Sequence, residues 1–501
     1  MVSLQIISAL NVQAILIGCI VVLIVYRVTK KQKYKLPPGP WGLPIIGNIE
    51  MVKERFIFLK CTELAKKYGP VFTVHLGPFR VVVLNDINVV TEALIKKKGD
   101  FAGRPHIPSV HKLTDGGRDI AFANYSPTWK LHRKIAGKAL RHYLAGSHLE
   151  KVVHSSMTKC LAKMSEETGP FDPEPYIDLI VFNILDAVCF GESCNLDDPE
   201  FQQFMKLEKD TTQVLGKGLI EDVFPFLVNI WPTQKYTKVM RMSEERISMI
   251  RKKFKEHEAS FDPDNIRDFT DSLLLARQEA EADEDTELLS KLTETHLIQT
   301  LADIFSGGIS TSRITLYFAV RYMADLQDVQ SKVQEELDRV VGRNRLPGVK
   351  DRENLSYCEA TLHEMMRLSS AAPMGVPHST LCDTHINGYD IPKDTMVLIN
   401  HWALHHDPNY WKDVDKFDPT RFMDSNGKLG MKPESWLPFS AGRRVCLGET
   451  VAKPELHLIF SSIIQRFQIT LSEDSNPKFQ LAGSGTIMQP EPFKIVIKER
   501  T

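Results

Sequence analysis

The stretch Phe439-Ser440-Ala441-Gly442-Arg443-Arg444-Val445-Cys446-Leu447-Gly448 sets one cysteine between two glycines and just after two arginines. A helical pattern begins immediately afterwards, from Glu449 to Phe467. A helix N-terminus favours negative charge, so it favours a thiolate at Cys446. Gly442 and Gly448 permit tight backbone geometry and the close approach of a flat ligand. Arg444 is placed to meet a carboxylate. A cysteine alone in such a turn would read as a buried structural thiol. The full pattern points to a thiolate ligand, and a thiolate on haem iron pushes electron density toward bound oxygen and favours O–O cleavage.

Phe439 to Gly448 resembles the haem-binding signature of the cytochrome P-450 family, F-x-x-G-x-R-x-C-x-G. Further segments match in order. Glu364-Met365-Met366-Arg367 resembles the E-x-x-R of the family's K helix, and Asp418-Pro419-Thr420-Arg421-Phe422 resembles its P-E-R-F, with Thr420 where the glutamate would stand. The resemblance implies a buried, structural charge cluster of Glu364, Arg367 and Arg421. Trp129 and Arg133 resemble the W-x-x-x-R of the C helix, which contacts a haem propionate; Arg104 and His378 match further propionate contacts. By resemblance, then, Cys446 binds the iron of haem b. Arg104, Trp129, Arg133, His378 and Arg444 serve the propionates, and Phe439, Gly442 and Gly448 also lie at the cofactor.

Leu301 to Val320 resembles the family's I helix, which crosses the haem face. The usual pattern A/G-G-x-D/E-T here reads Gly307-Gly308-Ile309-Ser310-Thr311. Two successive glycines weaken a helix by about 1 kcal/mol each and could open room for oxygen and water; a mere packing contact is the plainer alternative. Thr311 keeps the alcohol expected to deliver protons. Ser310 replaces the acid, and a hydroxyl can pass a proton but carries no charge at neutral pH. Proton supply is therefore expected through water and Ser310, with more peroxide leakage than in relatives that keep the acid. Phe122, Phe305, Gly307, Gly375 and Val376 are expected to line the substrate pocket.

These residues need an architecture to hold them. Helical patterns dominate from about Phe56 to His378, including Pro127 to Leu144, Met240 to His257, His296 to Met323 and Leu355 to Leu368. Short β-branched runs predict strands at Val71 to Leu76, Val81 to Leu84 and Thr395 to Ile399. Asn387-Gly388 predicts a turn. The expected fold is mainly α with small peripheral β-sheets, the cytochrome P-450 fold with an N-terminal transmembrane anchor. Pro454 is expected to kink or break the helix after Cys446. The acidic segment Glu279 to Glu287 reads as an exposed loop or frayed helix end.

The first 27 residues carry no charged side chain before Arg27, and about 20 apolar residues suffice to span a bilayer. Arg27, Lys30, Lys31, Lys33 and Lys35 follow, which keeps the bulk of the chain on the cytosolic side. A cleaved signal peptide would want positive charge before the apolar run and a small-residue cleavage site after it; the sequence has neither. The expected organisation is an anchor over 1–27, a basic, proline-rich linker over 28–48 and a catalytic domain over 49–501, attached by a single pass to the endoplasmic reticulum membrane.

The 501 residues are 43% hydrophobic and 25% charged, with 62 basic and 63 acidic side chains. No basic stripe suggests a nucleic acid. The eight cysteines are sparse and form no CxxC, so neither a zinc site nor a disulfide framework is expected. His401, His405 and His406 include an i, i+4 pair but no third metal ligand; a surface helix is expected there. The basic run Arg246 to Lys255 reads as a solvated face.

The resemblance implies a monooxygenase. It would insert one atom of O2 into an apolar small molecule, with electrons from NADPH through NADPH-cytochrome P-450 reductase, and with cytochrome b5 as a further partner. Likeness to the steroid 17-alpha-hydroxylase/17,20-lyase branch and its xenobiotic-metabolising relatives suggests a steroid. The segment Phe201 to Val228, which would roof the pocket, matches that branch poorly. Two alternatives stay open: a haem-thiolate isomerase or dehydratase of lipid peroxides, and a haem-containing ligand-binding protein without chemistry.

Overall fold

A computed structural model describes residues 33–500, except 44, 49, 52, 53, 145–147, 485 and 486. The expected anchor lies outside the described residues. Among the described residues no helix is long and apolar enough to cross a membrane.

The elements that matter for the site are helix α1 (Ile57–Tyr68), strands β1 (Val71–Leu76) and β2 (Phe79–Leu84), and helices α2 (Pro127–Leu144), α3 (Glu174–Phe190), α4 (Pro199–Gly216), α5 (Gln234–Ala259), α6 (Phe269–Ala282) and α7 (Glu294–Asp325). They are followed by α8 (Ser356–Ser369), β3 (His378–Ser379), β4 (Met396–Ile399), the short helix α9 (His401–His405) and α10 (Glu449–Arg466). The sequence-predicted helices fall inside these bounds to within a residue or so, and Pro127–Leu144 coincides with α2.

Helix α7 is the spine. Its 32 residues extend about 48 Å at 1.5 Å per residue. Thr293 caps its start by accepting from the His296 amide. Helix α3 packs along it through a mainly apolar sequence from Ile177 to Phe190, interrupted by the buried Asp178, Asn183 and Asp186. Helices α4 and α5 pair with each other above this layer. Each starts at a side-chain cap: Asp198, followed by Pro199, and Thr233.

The small sheet has the order β1-β2-β4-β3. β1 and β2 form an antiparallel hairpin in which Val71 faces Leu84, whereas β2 and β4 run parallel, Val81 beside Met396. Val81 and Val83 join the main core, while Val82, Leu84, Val397 and Ile399 join a second apolar cluster on the other face. The period of two thus buries both faces. The Pro38 carbonyl accepts from the Thr73 amide, laying the proline-rich segment against β1. Asn387 and Gly388 take left-handed φ values of 52° and 74°, as their turn requires. Of the acidic segment Glu279 to Glu287, all but Ala280 is exposed, as the charge pattern implies; Ala280 is buried in the last turn of α6.

Three expectations fail. Helix α10 runs through Pro454 without a break. Helix α9 is not a surface helix. His401 and His405 are buried, and both ring nitrogens of His405 are committed: Nε2 accepts from the Leu437 amide at 3.1 Å and Nδ1 meets the Ser370 hydroxyl at 2.6 Å. A metal would have no free nitrogen on His405. Finally, the basic run on α5 is divided by helical periodicity. Arg251, Lys252 and Lys255 face outward, but Arg246 and Lys253 turn inward to buried acids.

Candidate active site

A cavity of about 390 Å³ lies between α7 and the N-terminus of α10. Cys446 forms part of its wall, surrounded by protein yet with its side chain open to the cavity. The Cys446 amide donates to the Phe439 carbonyl at 2.9 Å, closing the loop on which the thiol sits. Burial pushes this thiol above its ordinary range, while the Gly448 and Glu449 amides and Arg133 pull it down. Burial outweighs the helix terminus, so the expected thiolate is not set by the helix alone. A bound metal ion would deprotonate the thiol outright.

Three guanidinium groups gather at one edge. Arg444 is buried; its Nε and Nη2 donate to the Ala102 and Ala123 carbonyls, both at 2.8 Å, and its Nη1 has no partner. Arg104 donates to the Ala121, Val376 and Pro377 carbonyls. Arg133 donates to the Val445 carbonyl, next to Cys446. Burial, reinforced by mutual repulsion, lowers Arg444 to about 8 and Arg104 to about 10, with Asp119 opposing the shift in both. A buried positive cluster with an orphaned N–H calls for an anion. The donor set fits a flat dianionic ligand whose centre is held by sulfur: the carboxylates go to the arginines and the metal to Cys446.

The comparison with known proteins agrees. The cytochrome P450 family model matches residues 37–497. The chain belongs to the cytochrome P450 family.

This P450 is 36% identical over 470 residues to steroid 17-alpha-hydroxylase/17,20 lyase of Squalus acanthias, which covers 93% of this chain and 92% of the relative. It is 32% identical to cytochrome P450 2U1 of Homo sapiens, over 94% of this chain and 90% of that one. Cytochrome P450 1A1 of Chelon auratus is 34% identical over 97% and 95%. As a P450 monooxygenase the enzyme uses haem and O2.

The predicted site residues divide into three groups. Phe439, Gly448, Gly307, Thr311, Gly375, Val376, His378, Arg104, Arg133 and Arg444 line the P450 cavity with Cys446. Thr311 Oγ1 donates to the Gly307 carbonyl at 2.9 Å. A Cβ on Gly307 would meet nothing within 4 Å, so this glycine opens onto the cavity. Its neighbour does otherwise. A Cβ on Gly308 would stand 2.8 Å from Leu185 Cδ1, so here the glycine serves the contact between α7 and α3, and α7 is continuous through both.

The second group lies elsewhere. Phe305 is 1% exposed and packs edge-to-face with Phe182, Phe190 and Phe204, in the core between α3, α4 and α7. Phe122 lines a separate surface cavity beside α2. Trp129 does not reach in as a donor: its indole N–H donates to the Ile120 carbonyl at 2.9 Å, and its ring lies 4.0 Å from the Arg444 guanidinium. It supports the arginine rather than the ligand. Gly442 lies off the cavity. Its φ is 75°, and a Cβ there would stand 2.1 Å from the Leu94 carbonyl oxygen, so the glycine lets two backbone segments touch. Ser310 turns away from the cavity and donates to Glu208.

The third group is structural. Arg367 grips Glu364 with two bonds of 2.7 and 2.8 Å, all fully buried, and Arg421 adds a third at 3.2 Å. Arg367 also donates to the His405 and Val414 carbonyls, tying α8 to the loop that leads to Cys446.

His378 adds a tautomer constraint. Its Nδ1 lies 2.9 Å from the Phe101 carbonyl, so Nδ1 carries the proton, and burial beside Arg104 lowers the ring to about 3. A neutral ring offers only a lone pair at Nε2; a carboxylate beside it would supply the counter-charge for protonation.

Among the cavity residues that sequence reasoning missed are Asp303, Glu455 and His401. Asp303 accepts from the Ile120 and Ala121 amides at 2.7 and 2.9 Å. It stands four residues before Gly307, on the same stripe of α7 as Thr311, and that spacing could have found it. Glu455 and His401 carried no comparable signal.

Proposed function

We propose that this P450 hydroxylates an apolar small molecule of the steroid class. Support comes from the cavity itself, where Ile120, Leu185, Val188, Ile304 and Val376 make an apolar wall that includes Cys446 and Thr311. The names of the 36%-identical relatives point the same way. Haem bound through Cys446 would supply oxygen activation; Arg104, Arg133, His378 and Arg444 would hold its carboxylates. The apolar wall would exclude water and hold the substrate by area buried rather than by hydrogen bonds. Asp303, with both its backbone bonds made, shapes the wall near Ile120.

Electrons would come from NADPH through cytochrome P-450 reductase, with cytochrome b5 as a second donor. Lys130, Lys134 and Lys138 are exposed at helical spacing on α2, the helix whose Arg133 bonds beside Cys446. This basic stripe suits an acidic electron donor. Residues 1–27 would anchor the protein in the endoplasmic reticulum membrane by a single pass, with 28–48 as the linker, 49–501 as the catalytic domain and that domain in the cytosol. A second contact with the lipid bilayer is supported by an exposed apolar surface. Trp41, Ile45, Phe226, Ile230 and Trp231 are each more than half exposed, and their segments meet where Val223 packs against Gly77 and the Gly77 amide bonds Ile46.

The first experiment is a carbon-monoxide difference spectrum of the reduced protein beside Cys446→Ala, followed by a steroid screen with reductase. A red-shifted band in wild type alone, then a hydroxylated steroid, is the expected result. Absence of the band in folded, haem-loaded wild type would remove the thiolate assignment. The band without any oxidised steroid would remove the substrate class only.

A further inference from the structure

Asp119, Phe122 and Ala123 line the surface cavity beside α2, whereas Ile120 and Ala121 line the P450 cavity. This short segment is the wall between the two, and two carboxylates hold it. Asp119 Oδ2 accepts from the Phe122 amide at 2.7 Å. Asp303 Oδ2, from α7, accepts from the Ile120 and Ala121 amides at 2.7 and 2.9 Å. Successive amides of one turn therefore gather two acids, one on each side of the wall. Asp119 is 3% exposed and its Oδ1 has no partner. Asp303 lines the P450 cavity, and its Oδ1 takes no bond from any described residue. The cations in reach are unequally shared. Arg104 and Arg444 face Asp119. Asp303 has Arg246, whose charge is already paired with Glu208. Two acids held this way, out of water, do not both ionise. Burial and the Asp119 charge push the Asp303 carboxyl well above its ordinary range. Burial raises Asp119 as well, but three amides and Arg104 oppose it. The shared proton therefore belongs to Asp303, on Oδ1, because two amides occupy Oδ2.

We infer that Asp119 makes Asp303 present a carboxylic acid, not a carboxylate, to the P450 cavity, so that the enzyme selects neutral ligands with an oxygen acceptor and rejects cationic amines. The inference deepens the proposed function and rests on its reading of this cavity as the site of an apolar small molecule. An O–H at one point of an otherwise apolar wall fixes the orientation of a ketone or hydroxyl group that accepts from it. A cation in the same place would meet no counter-charge in an apolar enclosure. Asp119 touches nothing in the P450 cavity; it is a positioning residue that acts through Asp303. Asp119→Asn keeps an acceptor for the Phe122 amide and removes only the charge. Asp303→Asn keeps an acceptor for the Ile120 and Ala121 amides and offers an N–H where the acid offers O–H.

The probes are adamantyl methyl ketone and the adamantyltrimethylammonium cation, which share a skeleton; the second carries a fixed charge at every pH. Affinity is read from ligand-induced absorption shifts of the full-length, haem-loaded protein, with thermal unfolding and the carbon-monoxide spectrum as controls on each variant. Wild type should prefer the ketone, and its affinity for the cation should rise only toward alkaline pH, where Asp303 loses its proton. Asp119→Asn should bind the cation roughly tenfold more tightly at neutral pH, with the midpoint of that rise moved to lower pH. Asp303→Asn should keep the preference for the ketone, and Asp119→Asn/Asp303→Asn should return to it. A turn merely loosened by losing Asp119 would not be rescued by the second substitution. The infrared difference between wild type and Asp303→Asn at neutral pH should contain the C=O stretch of a protonated carboxyl; the difference between Asp119→Asn and the double variant should not. These bands need no ligand, so a failed steroid screen and a failed inference are distinguishable. Absence of the first band, its persistence in the second difference, or an equal affinity for the cation in wild type and Asp119→Asn would each overturn the inference.

Discussion

The Arg444 guanidinium lies 4.0 Å over the Trp129 ring, with one of its nitrogens buried and unpartnered. Two backbone carbonyls and an aromatic face hold this arginine, and its remaining N–H is left for a ligand. Lysine could not satisfy both carbonyls and the stack together. Arg444→Lys should therefore lose haem to an apo-globin trap roughly tenfold faster, while Arg444→Leu should purify largely without haem. Trp129→Phe keeps a ring beneath Arg444 but orphans the Ile120 carbonyl. It should cost about 1 kcal/mol in unfolding free energy with haem content nearly unchanged.

The two glycines of α7 should respond oppositely to alanine. Gly308→Ala drives a methyl into Leu185, and overpacking of this kind costs about 1–3 kcal/mol. Gly307→Ala meets no neighbouring atom and should gain about 1 kcal/mol from helix propensity. The second variant should also weaken binding of bulky apolar ligands, because the new methyl enters the cavity. Thermal unfolding and spectral ligand titration separate the two effects.

Much of this site was legible from spacing, and the errors have a geometric source. Cys446, Arg444 and the Glu364-Arg367 pair sit in local motifs, so their partners follow from a few adjacent residues. Phe305 and Ser310 instead needed the rotation of α7. At 100° per residue, Phe305 stands about 200° from Gly307, so the two cannot share the cavity face. Ser310 stands about 100° from Thr311 and meets α4 instead. The Trp129 indole and the Leu94 contact of Gly442 depend on segments far apart in sequence, which no periodicity reveals. The burial of α9 was hidden because its histidines look polar, although the buried His405 has both ring nitrogens bonded.

The Glu364–Arg367–Arg421 cluster should show asymmetric costs. Arg367 makes bonds to Glu364 and to three backbone carbonyls, all in a buried region. Arg367→Met leaves the buried Glu364 carboxylate with only Arg421 and the Asp418 amide, both on one oxygen, and should cost about 3 kcal/mol, enough to lower the recovery of folded haem protein. Glu364→Gln with Arg367→Met removes both charges and should recover part of that loss, read as coupling in a double-mutant cycle of denaturant unfolding.

Glu455 gives a pH prediction with a definite sign. It lines the cavity, one carboxyl oxygen has no partner, and burial raises it to about 8 while a bond from Ser312 opposes the shift. In the unfolded chain this glutamate loses its proton near the ordinary value of 4.5, whereas the folded protein keeps it to about 8. Across that window the native state binds more protons, so this group's stabilisation falls as pH rises and levels off above about 8. His363 and His378, both lowered to about 3, act in the opposite sense: they cost stability as pH falls below 6.5. Glu455→Gln removes only the first effect. Its advantage over wild type in denaturant unfolding should therefore be small at pH 5 and grow steadily toward pH 8, with the acid limb unchanged. An advantage independent of pH would mean that Glu455 is ionised in the folded protein and that the burial argument fails.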